Sequence, residues 1–377
     1  MLDLGSAAAR MFAVGFDGES IPPELPRLLE RGVSAVILFS RNVGSVEQVA
    51  RLASEVKCRA AGGRPLLTCV DQEGGRVRRL RDGFTHVPSM RALGQTGDVD
   101  LAYAVGRVLA RELRAVNIDL DFAPTLDVDT NPANPVIGDR SFGATCELVS
   151  RMGTALIRGL QENGVAACGK HFPGHGDTSQ DSHHDLPRLP HPIERLAGIE
   201  LPPFRAAVDA GVAMIMTAHV VFEPIDPDYP ATMSRRVMHG ILREQMGFDG
   251  VIISDDLEMK AISANFDIAE VVTRGANAGV DLFAICHDAD LQNRAIDALV
   301  RAVERGDVPQ QRIVEANRRL DRLMATYARP GHPESDFEPL NSPEHRAIVE
   351  RIAALAEMNG NGNGNGRHAA DPTERIA

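Results

Sequence analysis

The sequence predicts a (β/α)8 barrel of the TIM type, and three observations support this fold class. First, eight short apolar runs rich in strand-forming residues recur along the chain. Second, segments with a 3.6-residue hydrophobic period separate most of these runs, and several of them end at a glycine. Third, several runs are apolar nearly throughout, as parallel strands covered on the outside by helices should be. Repetition of a strand followed by a helix is typical of this barrel.

The elements can be assigned in chain order from these patterns. The predicted strands are 11–16, 35–40, 66–71, 120–128, 165–172, 213–220, 250–256 and 280–286. The clearest predicted helices are 101–116, 146–163, 234–246 and 268–278, followed by 308–327 and 343–358. A long polar loop rich in proline, 129–143, follows the fourth strand, and loops after barrel strands are where function concentrates.

The pattern also predicts the domain organisation. Residues 1–330 are expected to form one catalytic barrel domain, and 331–358 a proline-rich connector with a C-terminal helical extension. Residues 359–377 are expected to be a disordered tail, because Asn-Gly repeats four times over 359–366 and offers nothing to bury.

Composition excludes several classes of partner. The formal net charge of -12 argues against nucleic acid and anionic membranes, so an anionic ligand would need a local cluster of cations. No apolar run is long enough to span a membrane, and no signal peptide is visible. Five cysteines without a C-x-x-C pair are typical of a reducing compartment. We therefore expect a cytoplasmic protein, and a monomer.

Polar residues collect where the predicted strands end. These residues are Asp71, Lys170, His171, His219 and Asp255. Because the carboxyl ends of parallel barrel strands open on one face, we expect one shared site there. His219 can equally be a buried structural residue, since a histidine at a strand end is often satisfied by its neighbours.

The segment 170–187, KHFPGHGDTSQDSHHDLP, is the densest in chemically active side chains, and two interpretations compete for it. In one, a mixed cluster binds a divalent metal; its members would be His171, His175, Asp177, His183 and Asp185. In the other, Asp181 orients His183, which acts as a general acid and base. The metal interpretation lacks a clear ligand set elsewhere in the chain, and we expect no metal and no cofactor.

Three further residues are candidates for ligand binding or catalysis. Asp255, after VIIS, suits a nucleophile, a metal ligand or the partner of a cation. Asp71 in DQEGGRVRRL could accept hydrogen bonds from two sugar hydroxyls, and Arg79 could reach the same pocket; a salt-bridged loop is the alternative. Arg140 could contact a ligand oxygen; the alternative interpretation of this turn is that Asp139 simply pairs with an arginine.

Several motifs together resemble those of glycoside hydrolase family 3, in particular its single-domain β-N-acetylglucosaminidases. The motifs are ILFSRN, DQEGGRV, DFAPTLDV, NPVIGDRSFG, KHFPGHGDTSQDSHHDLP and VIISDDLEM, and the resemblance runs from about residue 11 to about residue 327. The histidine-rich loop is the most specific of them, because it separates this subgroup from the two-domain β-glucosidases of the family.

The resemblance implies a retaining mechanism. It assigns the nucleophile to Asp255 and the acid/base to His183, which Asp181 polarises. The residues that it implies for holding N-acetylglucosamine are Asp71, Arg79, Arg140, Lys170 and His171. The implied substrate is a small glycan, N-acetylglucosamine linked to anhydro-N-acetylmuramic acid with or without a peptide, in peptidoglycan recycling. A phosphorylase, a metal-dependent barrel hydrolase and a non-catalytic glycan-binding barrel remain as alternatives.

Overall fold

In the computed structural model, eight parallel strands close into a barrel, which confirms the predicted fold class. The structure describes residues 3–60, 63–178, 185–332 and 336–360. The barrel strands run, in order around the barrel, β1, β12, β11, β9, β7, β6, β3 and β2. Their bounds are β1 Phe12–Val14, β2 Ala35–Leu38, β3 Leu67–Val70, β6 Leu120–Asp121, β7 Ala166–Phe172, β9 Met214–Thr217, β11 Val251–Asp256 and β12 Leu282–Ile285. Each lies inside one of the eight predicted runs.

In the described part of the chain, four short strands lie outside the barrel, next to its carboxyl end. An antiparallel hairpin, β4 Gln72–Gly74 with β5 Val77–Arg78, follows β3 directly. A parallel pair, β8 Arg188–Leu189 with β10 Val221–Phe222, joins the loops that follow β7 and β9. Both pairs therefore fix the backbone of loops at the end where the site is expected.

Helices alternate with the strands and cover the barrel. They are α1 Leu4–Ala9, α2 Leu25–Arg31, α3 Val46–Cys58, α4 Met90–Thr96, α5 Val99–Ala115, α6 Cys146–Gln161, α7 Ile193–Gly198, α8 Leu201–Asp209, α9 Lys260–Ser263, α10 Ile268–Ala278, α11 Ala289–Glu304, α12 Gln310–Tyr327 and α13 Pro343–Gly360. Several of the longer ones begin at side-chain caps, for example Thr145 before α6 and Asp288 before α11.

Two predicted helices differ in detail from the observed ones. The segment expected as an α-helix over 234–246 forms a π-helix, Arg236–Gln245. The hydrophobic pattern did not distinguish the two, because the wider turn of a π-helix still leaves one apolar face. The final helix α13 continues to Gly360, two residues past the expected end at Met358. The first Asn-Gly pair is therefore helical, and the remainder of the predicted tail lies outside the described residues.

Alternate residues of the strands supply two separate cores. In β2, Ala35 and Ile37 belong to the cluster inside the barrel, whereas Val36 and Leu38 pack outward among the helices. This alternation explains why the runs are apolar on both faces. Among the described residues, no helix combines the length and the apolar character needed to cross a bilayer.

Helix α12 covers the amino-terminal end of the barrel. Its residues Leu320, Leu323 and Met324 join the interior cluster. Arg319 and Arg322 of the same helix bind the carboxylate of Asp249, two residues before β11 begins. Within the described residues, α12 therefore closes the barrel at this end.

Candidate active site

A cavity opens at the carboxyl ends of the strands, and the polar residues predicted from the strand ends meet there. Six of the predicted site residues line it: Asp71, Arg79, Arg140, Lys170, His171 and Asp255. They come from β7, β11, the loop and hairpin after β3, and the 3-10 turn Gly138–Arg140. The apolar part of the lining includes Phe39, Phe122, Met216 and Met259. At this end of the barrel, charged side chains and apolar side chains therefore line the same cavity.

A buried ion network holds the cationic donors in place. The Lys170 ammonium lies 2.6 Å from Asp71 Oδ1 and 2.6 Å from Glu73 Oε1. Arg140 donates two hydrogen bonds to Glu73, from Nε at 3.0 Å and from Nη2 at 2.7 Å. Arg79 Nη2 lies 3.5 Å from Asp71 Oδ2. Each cation is therefore fixed by at least one carboxylate before any ligand arrives.

The charges of this network are stabilised by each other. Burial alone would raise the pKa of Glu73, but Arg140 and Lys170 together hold it well below its usual range. Burial alone would lower the pKa of Lys170, yet Asp71 and Glu73 raise it above its usual range. Glu73, Lys170 and Arg140 therefore stay ionised at neutral pH, and Lys170 and Arg140 line the cavity.

Glu73 is a functional residue that the sequence reasoning missed. The side chain is fully buried and bonds the two cations from below, while Asp71 and Arg140 reach the cavity. The signal was present in DQEGGRV, where the second carboxylate follows the first by two residues. The sequence could not indicate which of the two faces a ligand and which neutralises the arginine. Asp139 pairs with Arg76 at 2.9 Å, as the alternative interpretation of that turn expected.

Asp127 is a second missed residue, and it orients the histidines of β7 and its loop. It accepts a hydrogen bond from His171 Nδ1 at 2.7 Å, and its two oxygens accept from the backbone N–H groups of His171 and His175. The bond from Nδ1 fixes the ring so that Nε2 is the nitrogen available to a ligand. Burial opposes the charge of Asp127, but His171 and these hydrogen bonds lower its pKa.

His175 also lines the cavity, next to His171. Burial, followed by the neighbouring His171, lowers the pKa of His175 to about 4, so its ring is neutral at physiological pH. Its Nδ1 lies 2.8 Å from the hydroxyl of Thr178. Two described members of the predicted metal cluster have different partners: His171 binds Asp127, and Asp177 binds Thr130, His191 and Arg195. A third member, His183, lies outside the described residues.

Asp255 stands at the end of β11 and lines the cavity. Its Oδ1 accepts a hydrogen bond from the backbone N–H of Asp256 at 2.8 Å, which fixes the carboxylate relative to the strand. The backbone carbonyl of Asp256 in turn accepts from His219 Nε2 at 3.0 Å. His219 is fully buried, and Thr232 binds its other nitrogen at 2.8 Å. His219 is therefore the satisfied structural residue that the sequence left as one of its alternatives.

Within the described residues, one group of three side chains has the spacing to hold a cation. It consists of Asp256, Glu258 and His287, which lie beside Asp255. Glu258, however, already accepts the backbone N–H groups of Cys286, His287 and Asp288, at 2.6, 2.6 and 3.0 Å. Burial and the Glu258 carboxylate raise the pKa of Asp256, a shift that reduces its charge. The set therefore braces the loop after β12, and none of its members belongs to the metal cluster considered from the sequence.

The two residues predicted to form the acid/base pair, Asp181 and His183, lie outside the described residues. The structure does describe the segments that flank them. A Cβ on Gly176 would lie 1.8 Å from the carbonyl oxygen of Val128, so only glycine allows the loop to pass so close to the segment after β6. Asp177 then accepts hydrogen bonds from Thr130 at 2.8 Å and from Arg195 at 3.0 Å. On the far side, β8 pairs with β10.

A barrel with an aspartate at the end of β11, among fixed cations and carboxylates, has the construction of a glycosidase. Residues 22–323 match the model described as glycosyl hydrolase family 3 N terminal domain, and the chain belongs to this family.

Relatives of known name and structure agree with this assignment. A protein of Thiobacillus denitrificans described as a beta-hexosaminidase is 44% identical over 279 residues, which are 72% of this chain and 77% of the relative. A glycoside hydrolase family 3 beta-N-acetylglucosaminidase from Paenibacillus sp. str. FPU-7 superposes with a TM-score of 0.91 at 44% identity, over 94% of this chain and 69% of that one. NagZ from Neisseria gonorrhoeae, in complex with N-trifluoroacetyl-D-glucosamine, gives a TM-score of 0.77 at 35% identity, over 92% and 98% of the two chains.

Proposed function

We propose that the chain is a retaining exo-β-N-acetylglucosaminidase that removes terminal β-linked N-acetylglucosamine from small glycans. The enzyme class, a β-N-acetylhexosaminidase, rests on the family match and on relatives that carry this name. The observation that carries the mechanism is the position of Asp255. It stands at a strand end in the cavity that five other predicted site residues line, where a carboxylate can attack an anomeric carbon.

The proposed first step forms a covalent glycosyl-enzyme. The Asp255 carboxylate attacks the anomeric carbon while His183 protonates the leaving oxygen, and Asp181 stabilises the imidazolium before that proton is given up. In the second step, neutral His183 takes a proton from water, which attacks the same carbon and releases Asp255. Each displacement inverts the anomeric carbon, so the two together leave the product in the β configuration.

The fixed ion network is proposed to hold the sugar. Asp71 accepts hydrogen bonds from hydroxyls, and Arg79, Arg140, Lys170 and His171 donate to hydroxyl or acetamido oxygens. Since Glu73 and Asp127 already fix three of these donors, substrate binding does not have to order them. This preorganisation favours a small, hydrogen-bonded glycan over a long polymer stacked on aromatic rings, and the chain contains no tryptophan.

The finer substrate assignment depends on the family resemblance. We propose N-acetylglucosamine linked to anhydro-N-acetylmuramic acid, with or without a peptide, as the substrate, and a cytoplasmic role in peptidoglycan recycling. Purified disaccharide, with the peptide present or absent, would serve as the substrate for the test. Release of free N-acetylglucosamine from it would support this assignment, and cleavage of chitobiose alone would contradict it.

The first test of the function compares two aryl glycosides in the presence of EDTA. We expect rapid cleavage of the β-N-acetylglucosaminide and little cleavage of the matching β-glucoside. Activity abolished by EDTA and restored by zinc would instead favour the metal-dependent hydrolase. Sugar binding without any product after long incubation would favour the non-catalytic alternative.

A further inference from the structure

A second cavity lies at the opposite end of the barrel from the candidate active site. It has a volume of about 340 Å³ and lies between the π-helix Arg236–Gln245, the turn before β12 and helix α12. Four arginines line it: Arg235, Arg243, Arg312 and Arg319. Glu315 is the one carboxylate among its described lining residues, and Gln311 Nε2 donates to it at 3.2 Å.

The arginines of this region outnumber the carboxylates that they contact. The fully buried carboxylate of Asp281 forms ion pairs with three of them, Arg243, Arg312 and Arg319. The side chains of these three arginines are only 9%, 11% and 13% exposed. Arg319 also forms an ion pair with Asp249, and Arg322 and Arg318 contact the same carboxylate. Positive charge is therefore in local excess, although the chain as a whole carries a formal charge of -12.

One donor of this cluster has no hydrogen-bond partner among the residues that the structure describes. Nη1 of Arg312 is buried and makes no hydrogen bond within the described part of the chain, whereas its Nε and Nη2 bind Ala276 O, Val280 O and Asp281. A buried guanidinium N–H without an acceptor is costly. Burial, together with the neighbouring arginines, also lowers the pKa of Arg243 to about 10 despite Asp281. Both features show that burial of these guanidinium groups is not fully compensated by the acceptors around them.

We propose that this cavity binds a small phosphate-type oxyanion, either inorganic phosphate or the phosphate group of a phosphomonoester. Such an ion would neutralise part of the excess charge, with the guanidinium groups that line the cavity as donors and Arg235 at its rim. The groove next to the cavity shares Arg235, His239 and Asn277 with it and includes Tyr229, so the rest of a phosphomonoester has a place to lie.

The binding of inorganic phosphate, measured by isothermal titration calorimetry at constant ionic strength, tests the proposal. We expect one saturable site per chain, and saturation with N-acetylglucosamine should leave it unchanged because the sugar would occupy the other end of the barrel. Arg235→Ala should weaken phosphate binding by about tenfold while cleavage of the aryl substrate stays the same. Arg312→Gln should abolish phosphate binding. If this substitution at a buried position prevents folding, the result for Arg235→Ala tests the proposal.

Arg322→Ala is the matched control, since it removes an equal charge nearby from a residue that does not line the cavity. It should change the phosphate affinity by less than about twofold, because an exposed charge acts weakly through solvent. Equal weakening by Arg322→Ala and Arg235→Ala would overturn the proposal, as would competition by N-acetylglucosamine or the absence of saturable binding. A parallel titration with glucose 6-phosphate identifies the source: tighter binding than phosphate indicates a phosphomonoester, and equal binding indicates the free ion.

Discussion

At the scale of single residues, the candidate site contains two kinds of carboxylate: those that face the cavity and those that hold the surrounding donors in place. Asp71 and Asp255 face the cavity, whereas Glu73 and Asp127 are buried beneath it and accept hydrogen bonds from the residues that bind a ligand. The sequence identified the first pair because they end strands. It did not identify the second pair, because which carboxylate is covered depends on how the segments after β3, β6 and β7 pack together.

Substitution of His183 tests the acid/base assignment. His183→Ala should slow glycosides with poor leaving groups far more than activated aryl glycosides, because an activated aryl leaving group departs without protonation. The measurement is kcat/KM for a series of leaving groups of increasing pKa. An equal loss across the series would show that His183 does not act as the acid.

Loss of the charge on Glu73 should destabilise the fold as well as the site. Glu73→Gln leaves Arg140 and Lys170 without their shared counterion, and we expect the free energy of unfolding to fall by about 3 to 5 kcal/mol. Urea denaturation measures this change. Glu30→Gln, at an exposed position of α2, is the control and should change the unfolding free energy by less than about 0.5 kcal/mol.

Measuring the unfolding free energy of wild type and Glu73→Gln as a function of pH tests how the Glu73 charge contributes to stability. Its pKa in the folded state lies below the ordinary value of 4.5, so its stabilisation is complete above pH 4.5. The contribution is lost as the pH falls below that value towards the folded-state pKa. The difference between wild type and Glu73→Gln should therefore be constant from pH 6 to 8 and shrink below about pH 4.5; a difference that grew in acid would contradict the network.

At the scale of elements, the histidine-rich loop is held at fixed points on both sides. Gly176→Ala should displace the loop, because its methyl group would meet the Val128 carbonyl. We expect kcat/KM to fall by at least tenfold, since small misplacements of a catalytic group have large effects. Gly198→Ala, in α7 where no atom lies within 4 Å of a new Cβ, is the control and should keep full activity. Normal activity of Gly176→Ala would show that the anchor is not needed.

The C-terminal extension is attached to the barrel through a buried carboxylate. Glu112 of α5 accepts hydrogen bonds from His345 Nδ1 at 2.9 Å, from Asn341 N at 2.9 Å and from Thr85 N at 2.9 Å. Ile352 of α13 is fully buried. We therefore propose that 331–358 is an integral part of the catalytic domain, although its sequence reads as an extension.

Two truncations test this attachment. A chain ending at Met358 should keep its activity and stability, because it loses little beyond the last helical turn. A chain ending at Leu340 should lose about 3 kcal/mol or more of unfolding free energy, because Ile352 is removed and Glu112 loses two of its donors. Thermal unfolding of both proteins measures the difference. Equal stability of the two would contradict a structural role for α13, and lost activity at Met358 would assign a role to the tail.

At the scale of the whole molecule, the sequence predicts the barrel well because its strands carry a simple pattern. Eight apolar runs must be buried on both faces, and that requirement leaves few alternatives to a barrel wrapped in helices. The π-helix at Arg236–Gln245 escaped prediction, because it keeps one apolar face while its hydrogen bonds differ. The arginine cluster around Asp281 escaped as well, since its members are up to 76 residues apart in the chain and meet only at the closed end of the barrel.

The central claim is that Asp255 forms a covalent intermediate in a retaining reaction. The most direct test treats the enzyme with a 5-fluoro N-acetylglucosaminyl fluoride, which forms the glycosyl-enzyme faster than it hydrolyses, and then maps the modified peptide by mass spectrometry. The account predicts one glycosyl group on the peptide that contains Asp255, none on Asp255→Ala, and the β anomer as the first product of the natural reaction. A label on another residue, or no label together with an α-anomeric product, would contradict it.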